Sequence, residues 1–373
     1  VLGLSVYSYN VAKMFSPMLW GVLMLSYLEF HWKEWRQLFG WKLLFGSIMF
    51  SLCLLPLVKD TVNGSATSRI SSLHVGADSR LVDQIVYDRH IAFVNGVDLS
   101  RIFHNKVWEI GNRMNKNYLE AFSLKFWFVE GQVVIPRHNL PGWGLLFGWM
   151  GIGLLVWCLK IKQSMSSVNK KVVVIVLLLA PLPASLTFAG GNHATRLATM
   201  IVPLAILAAY GLNDLVSKKR KYLSVFLTGL ISIQLLAYIH DYVVHYTDEY
   251  YSHWNYGWET LFKQLESYPE QKIIITKTHS HLPFLYTIFF NKIDPTLVQH
   301  QFKLSKNGNT LAPTEKLDKY EFRTFNENEE KLGNTLYVST SDQKLVNWKV
   351  VDKVYNSDPT GVPVFLIWRP NGG

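Results

Sequence analysis

The chain has 373 residues, of which 49% are hydrophobic, 14% are aromatic and only 17% are charged. This composition argues against a water-soluble protein and indicates a membrane protein. The net charge of +10 also fits a nucleic-acid partner, but the Lys and Arg residues are grouped between apolar runs, which indicates lipid headgroups and no nucleic acid.

The chain begins with VLGLSVYSYNVAKMF, without an initiator methionine or the charged start of a signal peptide. We therefore expect a fragment that lacks its N-terminal part. A membrane helix needs about 20 mostly apolar residues. Runs of this kind predict six membrane spans, at residues 12–30, 41–58, 141–160, 172–189, 197–216 and 222–241.

The segments that join alternate spans are basic, and they orient the whole set. Their cations are Lys33, Arg36 and Lys42, then Lys160, Lys162, Lys170 and Lys171, and finally Lys218, Lys219, Arg220 and Lys221. By the positive-inside rule these segments are cytoplasmic. The loop 59–140, the short loop 190–196 and everything after about residue 242 are then predicted to lie on the exterior side.

The fourth predicted span contains VVVIVLLLA followed by PLPASLTF. The first part also fits a buried strand of a soluble protein. Four lysines before the run and the polar GGNHATR after it favour a membrane helix that is kinked by Pro181 and Pro183.

The exterior loop 59–140 is too long for a simple connector. Near its end, aromatic residues are clustered at Phe122, Phe126, Trp127 and Phe128. The cluster predicts a helix that lies in the membrane interface.

After the last span, patterns of both helices and strands recur. WNYGWETLFKQLESY and LPFLYTIFF predict helices, and KIIIT, TLYVST, WKVVDKVY and VPVFLIW predict strands. No glycine-rich nucleotide motif is present. The predicted fold is an α-helical polytopic membrane protein, with a multi-span membrane domain at 1–241 and an exterior soluble α/β domain at 242–373.

Two polar clusters lie on the predicted exterior side, at the lips of apolar runs. Arg137 and His138 belong to PRHNLPGWG, and His193 and Arg196 belong to GGNHATRLATMIVP. Arginine and histidine in such positions bind an anion through charge-assisted hydrogen bonds, and a phosphate at headgroup depth is the obvious candidate. Each cluster taken alone also fits side chains that snorkel to the interface.

Three runs carry a family resemblance, in this order: GLSVYSYNVAKMFSPMLW, NYLEAFSLKFWFVEGQVVIPRHNLPGWGLLF and PLPASLTFAGGNHATRLATMIVPLAILAAYGL. Together they resemble bacterial membrane glycosyltransferases of family 39 type, which have the GT-C fold and are related to protein O-mannosyltransferases and to the aminoarabinose transferase of lipid A. KIIITKTHSHLPFLYTIFFNKIDPTLVQHQF is similar to the exterior C-terminal domain of the same proteins.

The resemblance implies an enzyme of the cell envelope that takes a sugar from a polyprenyl-phosphate carrier and passes it, with inversion, to a lipid or protein acceptor on the exterior or periplasmic face. The implied location is the bacterial inner or plasma membrane. No cofactor and no metal site are predicted. A membrane transporter or flippase, and a non-catalytic membrane-anchored binding protein, remain as alternatives.

The resemblance also implies roles for individual residues. Arg137, His138, His193 and Arg196 match family steps and are assigned to binding of the donor phosphate or to the architecture of the site. Tyr9 and Lys13 are similar to a position where the family often has an arginine, although an aromatic belt with a snorkelling lysine fits them equally. The catalytic base of the family is an acidic residue expected upstream of residue 1, so the catalytic residue is unknown.

Overall fold

The computed structural model of the chain describes residues 2–31, 41–63, 73–78, 80–96, 100–161, 168–188, 190–216, 221–269, 272–277, 283–296, 298, 316–324, 334–346, 348–355 and 361–370. The chain forms two compact units, which we call unit 1 (Val1–His240) and unit 2 (Asp241–Gly373).

The described part of unit 1 is built from α-helices joined by turns. The helices are α1 (Leu2–Ser5), α2 (Asn10–His31), α3 (Trp41–Val62), α4 (Arg80–Val94), α5 (Ser100–Phe103), α6 (Lys106–Glu120), α7 (Gly148–Leu159), α8 (Val168–Leu179), α9 (Leu182–Ser185), α10 (Ala194–Leu197), α11 (Ile201–Val216) and α12 (Lys221–His240). A π-helical turn at Phe126–Glu130 and 3-10 turns at Pro136–His138 and Ala198–Met200 complete the helical segments.

Three helical segments among the described residues are long and apolar enough to cross a membrane. They are Leu44–Val62, Ala194–Val216 and Lys221–Glu249, and they overlap the second, fifth and sixth predicted spans. Only 6% of the apolar window is buried in the first and in the third of these segments. Apolar side chains that face outward in this way are what lipid contact requires. The total of six spans stays a prediction.

The third predicted span, 141–160, is too long at its start. The α-helix begins only at Gly148, because Pro141–Gly142 form a turn in which Gly142 has φ +79°. The amide of Leu146 then donates to the carbonyl of Trp127 at 2.8 Å, so it is not free for a helical bond. The resulting α7 has 12 residues, about 18 Å of rise, which is less than the hydrocarbon core of about 30 Å.

The fourth predicted span, 172–189, is interrupted at its prolines, so the single kinked helix that the sequence predicts is wrong. Helix α8 ends at Leu179, and a separate short helix, α9, begins after Pro181. Proline has no amide hydrogen and its ring clashes with the preceding turn, so the helix stops here instead of bending. Residues 186–188 then form a turn and not the end of a membrane helix.

Two members of the aromatic cluster in the loop 59–140 lie in the core, so the prediction that the cluster forms an interface helix is wrong for them. Phe126 and Trp127 are buried, and the indole Nε1 of Trp127 donates to the carbonyl of Ala121 at 2.7 Å. Both rings pack in a cluster that includes Leu197 of α10 and Met200 of the 3-10 turn before α11. The core accommodates the large indole of Trp127 because its N–H group finds a hydrogen-bond acceptor there, the carbonyl of Ala121.

Helices α7 and α11 cross at glycines. A Cβ on Gly211 would overlap the carbonyl oxygen of Gly153, and a Cβ on Gly153 would overlap the carbonyl of Ala208. Small residues allow two backbones to approach this closely, and dispersion contacts along the crossing then stabilise the pair.

Unit 2 contains a six-stranded sheet and short helices. The helices are α13 (Thr247–Glu249), α14 (Trp258–Leu265) and α15 (Pro283–Phe290), and the strands are β1 (Lys272–Thr276), β2 (Lys316–Leu317), β3 (Tyr320–Arg323), β4 (Thr335–Thr340), β5 (Trp348–Val354) and β6 (Phe365–Pro370). The strand order is β2-β3-β1-β4-β6-β5. Strands β3, β1 and β4 are parallel, whereas β2, β6 and β5 pair antiparallel. The predicted C-terminal sheet is confirmed, while its exterior location stays a prediction.

The core of unit 2 explains why these segments form. Alternate residues of β1, Ile273 and Ile275, face the apolar side of α14, where Trp258 and Phe262 are buried. Isoleucine favours strands because its branched side chain packs well on a pleated surface.

Candidate anion-binding site

The two polar clusters that the sequence separates meet in unit 1. Arg137 and His138 lie on the 3-10 turn Pro136–His138, and His193 is the residue before α10, which carries Arg196. The imidazole rings of His138 and His193 are 5.3 Å apart between centroids and tilted by 40°.

Gln132 joins the two clusters through one oxygen atom. Its side chain is buried, and its Oε1 accepts from the backbone amide of Ala194 at 2.9 Å and lies 2.8 Å from Nδ1 of His138. The bond to Ala194 satisfies a free amide at the start of α10. Sequence analysis missed Gln132, and the only hint is a polar side chain in the otherwise apolar run GQVVIP.

The bond to Gln132 determines which nitrogen of His138 carries the proton. Because Oε1 of Gln132 only accepts, Nδ1 of His138 is the donor. In the neutral ring, Nε2 then bears the lone pair. His138 therefore offers an acceptor to a ligand hydroxyl when neutral and a second donor to a phosphate when protonated.

Asn139 holds the loop that carries Gln132. Its Oδ1 accepts from the amide of Gln132 at 2.7 Å, and its Nδ2 donates to the carbonyls of Glu130 at 3.3 Å and Leu140 at 3.1 Å. Gly131, between Glu130 and Gln132, has φ +62°, and a Cβ on it would overlap the side-chain amide of Asn139. Glycine is the residue that adopts this conformation without strain. The loop is thus closed on itself before it reaches Arg137.

The two arginines have different surroundings. Nη1 of Arg196 donates to Oγ1 of Thr187 at 2.7 Å and to the carbonyl of Phe188 at 2.8 Å, so it ties the turn after α9 to α10. Arg137 is exposed. Arg196 therefore has a structural role whether or not an anion binds, and Arg137 is the exposed cation of the pair.

Tyr9 reaches the same site, whereas Lys13 is not tied to it. The hydroxyl of Tyr9 lies 3.2 Å from Oγ1 of Thr195, which in turn lies 3.2 Å from Nδ1 of His193. Lys13 lies half-buried on α2, and within the described part of the chain no contact links it to the histidines. Tyr9 positions His193 through Thr195, a residue that sequence analysis did not select.

Both histidines are shifted toward their neutral form. Burial lowers the pKa of His193 to about 4, with further lowering from Arg196 and from His138. Burial also lowers the pKa of His138, and the charges of Arg137 and Arg196 add to this effect. At neutral pH the positive charge of the site therefore belongs to the arginines, and both guanidinium groups are within electrostatic reach of the His138 ring.

Comparison with known proteins leaves the resemblance untested. No family model matches the chain, and neither the curated proteins nor the solved structures contain a match. The likeness to membrane glycosyltransferases of family 39 type therefore stays a prediction.

Proposed function

We propose that the protein is a membrane glycosyltransferase whose unit 1 binds the phosphate of a polyprenyl-phosphate sugar, and that it transfers the sugar with inversion to a lipid or protein acceptor. The observation that supports this most directly is the meeting of the Arg137–His138 and His193–Arg196 clusters across Gln132. A pair of arginines around two hydrogen-bonding imidazoles suits a phosphate better than it suits a cation or a neutral ligand.

The position of the cluster along the chain favours a phosphate that is attached to a lipid. His193 directly precedes the segment Ala194–Val216, which is long and apolar enough to cross a membrane. A side chain at the end of such a segment lies near the headgroup layer. The phosphate of a lipid carrier lies at this depth, whereas a soluble anion has no reason to do so.

The proposed chemistry needs cations that remain charged throughout the reaction. In transfer from a sugar phosphate, negative charge grows on the departing phosphate in the transition state. Arg137 and Arg196 are charged at every physiological pH and provide fixed donors for that charge. The proton on Nδ1 of His138 is donated to Gln132, so Nε2 is the ring nitrogen that is left for a ligand. It accepts a hydrogen bond from a hydroxyl when the ring is neutral, and it donates to the phosphate once the ring is protonated.

The test is binding of a polyprenyl phosphate to the full-length protein in lipid nanodiscs, compared between the wild type and Arg137→Ala. Loss of a charged hydrogen bond is worth about 1.5–3 kcal/mol, so we expect about 10- to 150-fold weaker binding. The matched control is Lys125→Ala, an exposed cation in the same region that pairs with Glu130 at 2.8 Å. We expect the control to bind like the wild type.

Transfer is measured in the same membranes with a panel of radiolabelled polyprenyl-phosphate sugars. Transfer that is lost in Arg137→Ala and kept in Lys125→Ala supports the proposal. Equal binding by the wild type and Arg137→Ala contradicts the phosphate site. Binding that depends on Arg137 without transfer from any donor contradicts the enzyme, and supports a flippase or a non-catalytic binding protein.

A further inference from the structure

The junction of α5 and α6 presents an unusual surface. Four large apolar side chains are exposed within residues 100–108, namely Ile102, Phe103, Val107 and Trp108. The rings of Phe103 and Trp108 meet edge to face at 5.7 Å. Two exposed cations accompany these apolar residues, Arg101 directly before Ile102 and Lys106 directly before Val107, and residues 100–108 contain no acidic residue. We call residues 100–108 the α5–α6 corner.

One side of α4 extends this apolar surface. Leu81, Ile85 and Ala92 form the buried side of α4, yet Val86 and Phe93 are exposed, Phe93 to 77%. Arg89 stands one turn from each of them, and its Nε donates to the carbonyl of His104 in the corner at 2.6 Å. Since residues one turn apart share a helix face, Val86 and Phe93 lie beside the corner.

Hydrogen bonds attach helix α6 to a turn that precedes a segment long enough to cross a membrane. Nδ2 of Asn117 donates to the carbonyls of Ser185 at 3.2 Å and Thr187 at 2.9 Å. This turn lies only a few residues before the segment Ala194–Val216. The amide of Phe188 also donates to the carbonyl of Leu73 at 2.7 Å, which attaches the segment before α4 to the same turn. The turn that anchors α6 therefore lies at the end of a candidate span.

The distance from this anchor to the corner is short. From Asn117 back to Val107 the helix rises about 15 Å at 1.5 Å per residue. If α6 lies along the membrane surface, the corner is within the headgroup layer, whose two sides add about 10–15 Å to the hydrocarbon core. The exposed apolar side chains then contact lipid instead of water.

We propose that the α5–α6 corner, with Val86 and Phe93 of α4, inserts into an anionic lipid surface. Aromatic and aliphatic side chains interleaved with cations are the composition of interfacial anchors, and each cation near an anionic surface adds to the attraction. A second copy of the chain would also bury the apolar groups, but it would leave Arg101 and Lys106 without the negative charge that the lipid supplies.

This inference rests on the membrane location in the proposed function and not on sugar transfer. The experiment uses the full-length protein in liposomes with and without phosphatidylglycerol, after both cysteines of the chain, Cys53 and Cys158, are changed to alanine. An environment-sensitive fluorophore is attached at Val107→Cys. The matched control is the same fluorophore at Lys116→Cys, nine residues further along α6 and therefore on the opposite side of the helix.

We expect the probe at position 107 to emit at shorter wavelength and to be quenched by lipids with brominated acyl chains, and the probe at 116 to respond only to aqueous iodide. Omission of phosphatidylglycerol, or the change of both Arg101 and Lys106 to glutamate, should reduce lipid quenching at 107. Equal lipid quenching at both positions, or none at 107, overturns the proposal. Protection from iodide without lipid quenching also overturns it, and identifies a protein surface as the occupant.

The two proposals fail separately. Lipid quenching at 107 in a protein that binds no polyprenyl phosphate retains the membrane contact and removes the glycosyltransferase. Arg137-dependent transfer with an unquenched probe retains the enzyme and removes the lipid contact.

Discussion

The imidazole rings of His138 and His193 lie 5.3 Å apart, although one residue belongs to the 3-10 turn before α7 and the other directly precedes α10. Oε1 of Gln132 binds His138 and the amide of Ala194, next to His193, so one buried side chain sets the separation of the pair. Two neutral rings tolerate this proximity, whereas two imidazolium ions would repel each other. Protonation of one ring therefore disfavours protonation of the other.

We expect stability to fall below neutral pH because of His193. Its pKa is about 4 in the folded chain and about 6.5 when unfolded, so the unfolded state binds the proton more readily. Stability is then fully present above pH 6.5 and decreases as the pH falls toward about 4. Thermal unfolding in detergent at pH 7.5 and at pH 5 measures this. In His193→Gln the change between the two pH values should be smaller; an identical change would contradict the assignment.

Binding of a phosphate should raise the pKa of His138, which burial and the two arginines lower in the free site. A phosphate beside His138 stabilises the imidazolium form, so its binding takes up a proton. The phosphate also loses charge as the pH falls, so the effect of His138 is the difference between two proteins. We expect the wild type to gain affinity for inorganic phosphate or polyprenyl phosphate between pH 7.5 and pH 5.5 relative to His138→Gln. An equal pH dependence in the two proteins would separate His138 from the anion.

Gln132→Ala should destabilise unit 1. The change removes the acceptor of the Ala194 amide and of His138, and an unsatisfied buried donor costs about 1–3 kcal/mol. The melting temperature of the protein in detergent measures the loss. Asn213→Ala, at an exposed position of α11, is the control and should change stability little. Equal melting of Gln132→Ala and the wild type would show that the shared oxygen does not matter.

Arg137→Ala and Arg196→Ala should differ in their effect on folding. Arg196 holds Thr187 and Phe188, so its loss should lower both the melting temperature and phosphate binding. Arg137 is exposed, so its loss should lower binding alone. Parallel melting and binding curves on the two variants measure the difference. Equal destabilisation by both changes would mean that Arg137 also supports the fold.

The crossing of α7 and α11 should not accept a side chain at Gly211. An added methyl group overlaps the carbonyl of Gly153, and overpacking of this kind costs about 1–3 kcal/mol. Gly229→Ala in α12 is the control, because a Cβ there has nothing within 4 Å. It should be neutral or stabilise the helix by up to about 1 kcal/mol. Melting curves that rank Gly211→Ala at or above the wild type would refute the close crossing.

Arg113 should hold α4 against α6. Its guanidinium donates to Asp78 at 2.9 Å, Glu109 at 2.8 Å and Gln84 at 2.8 Å. Arg113→Ala leaves two poorly exposed carboxylates without this cation, so we expect faster hydrogen exchange in α4. Lys116→Ala, which removes the exposed pair with Glu120, should cost at most about 1 kcal/mol and leave this exchange unchanged. Exchange that is equally fast in both variants would contradict the network.

Much of the secondary structure follows from local patterns. Apolar runs located α3, α11 and α12, and β-branched runs located β1 and β4, because solvent preference and backbone propensity act over a few residues. The third predicted span is too long because hydropathy, averaged over a window, detects neither the turn at Pro141–Gly142 nor the hydrogen bond from Leu146 to Trp127. Local composition also suggested that Phe126 and Trp127 face lipid, whereas packing against Leu197 buries them.

The candidate site and the proposed membrane contact likewise depend partly on local sequence and partly on the folded chain. The residue types and the family resemblance together are enough to predict Arg137, His138, His193 and Arg196 as anion ligands, because charge and hydrogen-bonding capacity belong to the side chain itself. That His138 and His193 meet, that Gln132 joins them and that their pKa values fall are consequences of contacts between distant segments. Burial and proximity exist only in the folded chain, and for that reason Gln132 and the exposed α5–α6 corner emerged from the tertiary structure.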